Sequence, residues 1–90
     1  MSYKLSYSRQ AQKDLILLRQ QPALKKNAEK LLKIIMVDPY QFPPPFKYLE
    51  GDLEGYISRR INLQHRLVYE VLDNEKEIYI VSAWSHYAGL

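Results

Sequence analysis

Apolar residues recur at two periods along the chain, and each change of period marks a boundary between elements. Lys4 to Tyr7 is a short alternating run around Leu5, flanked by Tyr3 and Tyr7, which predicts a first strand. From Arg9 to Gln20 the spacing lengthens. Ala11, Leu15 and Leu18 fall four and three apart, Ile16 and Leu17 widen the stripe, and Ser8 stands where an N-cap belongs. Gln21-Pro22 ends that helix and opens another, because proline is tolerated in a first helical turn. The second stripe is Leu24, Ala28, Leu31, Leu32 and Ile35, and Asp38-Pro39 stops it. Two helices joined by so short a link form a hairpin whose apolar stripes need a sheet to cover.

Alternation returns at Tyr56 and runs to Val71, through Ile57 and Ile61 and then Leu67, Tyr69 and Val71, with Asn62 to Gln64 as the connection. This predicts a β-hairpin. Before it, four prolines between Pro39 and Pro45 exclude helix and central strand and predict a stiff, extended bridge. Phe46 to Asp52 then leads into the hairpin, Gly51 and Gly55 allow tight turns, and Asp73-Asn74 marks the next one. Ile78 to Trp84 is the most apolar run and is expected inside the sheet, with Trp84 in the core. The expected order is β-α-α-β-β-β in one domain spanning residues 1–90. It is an α+β fold with a small antiparallel sheet and both N-terminal helices on one face.

Composition narrows the chemistry. With no cysteine there is neither a disulfide framework nor a thiolate metal site, and two distant histidines give little basis for a zinc centre. No segment approaches the roughly 20 apolar residues that cross a bilayer, and the start, M-S-Y-K-L-S, lacks the apolar run of a secretory signal. A cytoplasmic protein without a membrane partner is expected. The net charge of +3 is unevenly spread. Residues 1–37 hold eight lysines and arginines against two acids, and residues 38–90 hold five against eight. A basic half of this kind steers a protein toward a polyanion. Lys25, Lys26, Lys30 and Lys33, around the back of the second helix, are its candidate RNA contacts, although a solvated lysine face is the commoner explanation of any one of them.

The hairpin carries the sharper signal, because Arg59, Arg60 and Arg66 interleave with its apolar positions. Guanidiniums crowded on a rigid sheet suit a phosphate, and the backbone of a nucleic acid is the expected one. Successive strand residues point to opposite faces, so at most one of Arg59 and Arg60 joins Arg66. Arg59 is in phase with Ile57 and Ile61, which leaves its face open. His86, just past the most apolar strand, is the candidate proton donor or acceptor, and Arg66 can share its end of the sheet. His65, at the turn, reads as a structural hydrogen-bonding residue. Tyr87 can stack on a base or bond a phosphate. Glu50, Asp52 and Glu54, alternating beside glycines, look first like a solvated loop edge.

The run from Leu53 to Val71, L-E-G-Y-I-S-R-R-I-N-L-Q-H-R-L-V-Y-E-V, the preceding P-P-P-F-K-Y-L-E-G-D and the closing W-S-H-Y resemble the YoeB/Txe toxins of bacterial toxin-antitoxin pairs, within the RelE group. The resemblance spans the chain in length and element order and is clearest from Pro43 onward. It implies a RelE-like fold and an endoribonuclease that cuts messenger RNA in the ribosomal A site without metal or cofactor. It also implies a cognate antitoxin of YefM/Axe type as partner, and a possible toxin dimer. By the same resemblance Arg66 falls on the catalytic arginine, His86 on the general acid and Tyr87 on its neighbouring tyrosine. Lys47 stands where the family has its glutamate base, and Glu50 stands where several members have a basic residue. Three outcomes follow from that exchange: Lys47 is the base, Glu50 is, or the chain is a weakened or non-catalytic module that binds RNA or antitoxin. Lys47, Arg59, Arg60 and Tyr87 complete the expected RNA contacts.

Overall fold

The computed structural model describes residues 2–84. Strand β1 (Lys4–Tyr7) leads into helices α1 (Arg9–Arg19) and α2 (Pro22–Val37), followed by strands β2 (Phe46–Tyr48), β3 (Tyr56–Arg60), β4 (Arg66–Leu72) and β5 (Glu77–Ser82). The five strands form one sheet in the order β1-β5-β4-β3-β2. Phe46–Tyr48 is thus an edge strand where only a lead-in was expected. The meander β2-β3-β4-β5 is antiparallel throughout, whereas β1 lies parallel to β5. The sheet is mixed for a topological reason. Three antiparallel pairings leave β5 opposed to β2, and the helical connection delivers β2 opposed to β1, so β1 and β5 run the same way.

Both helices cover one face. Ala11 and Leu18 of α1 and Leu24, Ala28, Leu31 and Ile35 of α2 join Ile57, Leu67, Tyr69, Ile78 and Ile80 in a single core. Leu67, Ile78 and Ile80 lose all of their exposure, and full burial of each such side chain is worth about 1.5–3 kcal/mol. Ser8 caps α1 as expected, its Oγ accepting from the Ala11 N–H. The same hydroxyl donates to the Val81 carbonyl at 2.7 Å, which ties the helix start to β5. Ile16 and Leu17 do not widen the stripe, being 56% and 39% exposed. At 100° per residue the covered face of α1 runs through positions 11, 14, 15 and 18, and Asp14 takes the remaining place. Its carboxylate, 2% exposed, accepts from the Ala83 N–H at 3.0 Å and from Gln10 Nε2 at 2.9 Å. That acceptor holds the chain where it leaves β5.

The proline bridge is not extended. It folds through turns and bends between α2 and β2. Tyr40 anchors its beginning, with its hydroxyl donating to Asp73 at 2.9 Å, as the Tyr3 hydroxyl does at 3.0 Å.

Candidate functional site

The pleat sorts the hairpin. Ile57 pairs across the ladder with Tyr69, and Arg59 with Leu67, so these side chains point toward the helices. Ser58, Arg60 and Arg66 therefore point to the opposite face, where Arg60 and Arg66 are direct cross-strand neighbours. Lys47 of β2 stands opposite Ser58 on that same face. A concavity of about 380 Å³ forms there, floored by Ser58, Arg60 and Arg66 and walled by Pro44, Pro45, Phe46 and Lys47. Like charges placed directly across a ladder repel. Arg66 Nη1 and Ser58 Oγ are buried with no hydrogen-bond partner among the described residues, which costs about 1–3 kcal/mol for each such group. Three cations, one of them with an unmatched N–H, beside the unmatched Ser58 hydroxyl suit an anion with several acceptor oxygens, and a phosphodiester is one.

Arg59 takes the other direction. It is 1% exposed, and its guanidinium donates to the backbone carbonyls of Pro39, Gln41 and Pro44 and to Tyr69 Oη, with the Phe46 ring 4.7 Å beneath it. Hydrogen bonds to a charged group contribute about 1.5–3 kcal/mol each, enough in sum to offset much of the cost of burying the cation. Arg59, expected among the RNA contacts, has its donors engaged inside the protein, and Arg60 is the arginine that joins Arg66. Tyr69 completes the cluster by donating to the Pro39 carbonyl at 2.8 Å. Burial raises its hydroxyl pKa, and Arg59 beside it pulls the other way.

A family model described as the YoeB-like toxin of bacterial type II toxin-antitoxin system matches residues 7–87. The chain belongs to that family. It is 41% identical over 64 residues to Toxin YoeB of Synechocystis sp., covering 71% of this chain and 72% of that one. Toxin YoeB of Streptomyces coelicolor is 42% identical over 62 residues, covering 69% and 71%. In structure it is similar to the YoeB dimer from Staphylococcus aureus, with a TM-score of 0.82, 36% identity and 97% and 100% of the two chains covered. The YoeB-YefM complex from the same organism gives a TM-score of 0.81 at 35% identity, with the same coverage.

The remaining expected residues of this YoeB-like toxin are dispersed. Glu50 lies past the end of β2 and lines a separate shallow dip with Tyr48, Leu49 and Leu53, and Lys47 borders both hollows. Lys25, Lys26, Lys30 and Lys33 are all exposed on α2. Lys30 alone of them borders Arg60, across a groove that Asn27, Leu31, Ile34, Pro44 and Ile61 also line. His65 is 8% exposed, its ring centroid 4.3 Å from that of Trp84, and its backbone closes the β3-β4 turn through the Ile61 N–H at 2.8 Å. Its ring Nδ1 is buried without a hydrogen-bond partner among the described residues, so packing on Trp84 and the backbone of the turn hold it, not the side-chain hydrogen bond expected of it. Trp84 is half-buried against the core, and its carbonyl accepts from the Arg66 N–H at 2.7 Å. His86 and Tyr87 lie outside the described residues. Ser58 was missed by sequence reasoning, although its spacing of two from Arg60 was a signal. No helix among the described residues is long and apolar enough to cross a membrane.

Proposed function

We propose that this YoeB-like toxin is a metal-independent endoribonuclease that cuts messenger RNA in the ribosomal A site and so stops translation in the cytoplasm. A YefM/Axe-like antitoxin holds it inactive, and the toxin itself pairs into a dimer. The scissile phosphate sits in the concavity between Lys47, Arg60 and Arg66. The RNA's 2′-hydroxyl attacks the adjoining phosphorus as Lys47 takes its proton. Arg66 neutralises the charge gathering on the phosphoryl oxygens, and His86, beside Tyr87, protonates the departing 5′ oxygen. The bond from phosphorus to the 5′ oxygen breaks, leaving a 2′,3′-cyclic phosphate.

The observation that carries this reading is the convergence of Lys47, Arg60 and Arg66 on one side of the sheet, with a buried Arg66 Nη1 lacking a partner among the described residues. The Staphylococcus aureus relatives, solved as a YoeB dimer and as a YoeB-YefM complex, support the proposed partners. The replacement of the family's glutamate by Lys47 favours a second reading, in which the chain binds RNA or antitoxin without cutting. Single-turnover cleavage on messenger-programmed ribosomes separates the two. Wild-type protein is expected to cut. Arg66→Ala is expected to lose cleavage by about 10²-fold or more while ribosome binding changes much less, because its interaction strengthens in the transition state. Equal losses in rate and binding would make Arg66 a plain binding residue, and a wild type that never cuts would favour the second reading.

A further inference from the structure

We infer that Arg59 is a positioning residue for the cleavage reaction, bracing from inside the wall that presents Lys47 to the scissile phosphate. The inference rests on the functional reading above. The wall of the concavity comes from one segment, Pro44 to Lys47. Arg59 grips that segment and the chain before it. Its Nη2 donates to the Gln41 carbonyl at 2.8 Å and the Pro39 carbonyl at 3.2 Å, its Nη1 donates to the Pro44 carbonyl, and its Nε donates to Tyr69 Oη at 2.9 Å. Phe46 closes the grip with its ring under the guanidinium, and the next residue is Lys47.

This arrangement explains why an arginine is needed. Each proline keeps its carbonyl but has no N–H of its own, so a bridge rich in proline has acceptors to offer and few donors with which to hold itself in place. A guanidinium presents five N–H groups in a rigid plane and can meet three carbonyls and a hydroxyl at once, whereas an ammonium reaches from a single point with three. Arg59 and Arg60 thus divide one task across the strand. Arg60 faces the anion from the floor, and Arg59, pointing the other way, sets the opposing wall.

The test is Arg59→Lys in the full chain, which keeps the charge and removes the fork. Saturating single-turnover cleavage on programmed ribosomes is expected to slow by about 10- to 10²-fold, the scale on which small misplacements act, with the ribosome dissociation constant within about twofold of wild type. Ile35→Val, a buried core change on α2 that lines neither the concavity nor the groove beside it, serves as the control for stability alone and is expected to cut at the wild-type rate. Amide hydrogen exchange is expected to quicken at Gln41, Phe42, Phe46 and Lys47, the residues of this stretch that carry an N–H, in Arg59→Lys and to stay unchanged in β4 and β5. Should Arg59→Lys not fold, Tyr69→Phe removes only the hydroxyl that links Arg59 to Pro39, and is expected to slow cleavage by about threefold with binding intact. A folded Arg59→Lys that cuts within twofold of wild type, or unchanged exchange in residues 41–47, overturns the inference. If the wild type cuts nothing, the functional reading falls and the claim on rate falls with it. The exchange measurement still decides separately whether Arg59 sets the wall.

Discussion

Arg59 and Arg60 are adjacent and chemically identical, yet one is 1% exposed and the other lies open beside Arg66. The pleat alone assigns them, because neighbouring side chains leave a strand on opposite faces. The same geometry ranks the two candidates for the base. Lys47 faces Ser58 across the ladder and borders the concavity that holds Arg66, whereas Glu50 lies beyond the strand end in the neighbouring dip. Lys47→Ala is therefore expected to lower single-turnover cleavage on ribosomes by about tenfold or more, the low end for losing a catalytic base. Glu50→Gln should stay within a few-fold of wild type. The reverse ranking would move the base to Glu50, and two unaffected variants would take it out of this loop altogether.

At the scale of elements, stability depends on a few ties between segments far apart in sequence. Ser8 both caps α1 and bonds the Val81 carbonyl, so Ser8→Ala removes two interactions at once. Urea unfolding should show a loss of about 1–2 kcal/mol, at the upper end for a cap, and a loss under 0.5 kcal/mol would mean water replaces the hydroxyl at little cost. Tyr40 ties the proline bridge to Asp73 and brings a pH dependence with it. Burial, and then the hydrogen bond to the Asp73 carboxylate, push its hydroxyl from 10.0 up to about 12. The folded state thus holds this proton more tightly than the unfolded chain does. The stabilisation it gives is whole below pH 10 and is lost as pH climbs toward about 12. Between those values the urea midpoint of Tyr40→Phe should fall less steeply than that of wild type, and parallel slopes would show that Tyr40 releases its proton equally easily in both states.

Across the whole molecule, the basic excess of residues 1–37 and the arginines of the hairpin are separate in sequence and meet at one place, the groove between Lys30 and Arg60. A strand of RNA leaving the concavity past Arg60 would reach Lys30 before any other α2 lysine. Lys30→Glu should therefore weaken ribosome binding and lower the slope of log affinity against log salt by about one unit. Lys33→Glu, off the groove, should act through general steering alone, with a smaller change in slope. Identical effects would return all four lysines to a uniform basic field.

Local rules acting on the sequence determined the elements of this protein. Helical period, the Ser8 cap, Pro22 and Pro39 located α1 and α2, alternation located β1, β3 and β4, a continuous apolar run located β5, and the motif residues around Arg66 carried the resemblance to the YoeB/Txe toxins that the family match then bore out. These features depend on neighbours a few positions apart, so they are legible along the chain. Tertiary structure alone decided the features built from distant segments. The direction of β1 depends on the connections between it and β5, and the short strand β2 exists because β3 offers it an edge. The burial of Asp14 and Arg59 follows from acceptors and donors supplied tens of residues away, by Ala83 in one case and by the proline bridge in the other. A charged side chain in isolation reads as solvent-facing, and only the folded chain supplies the partners that make its burial favourable.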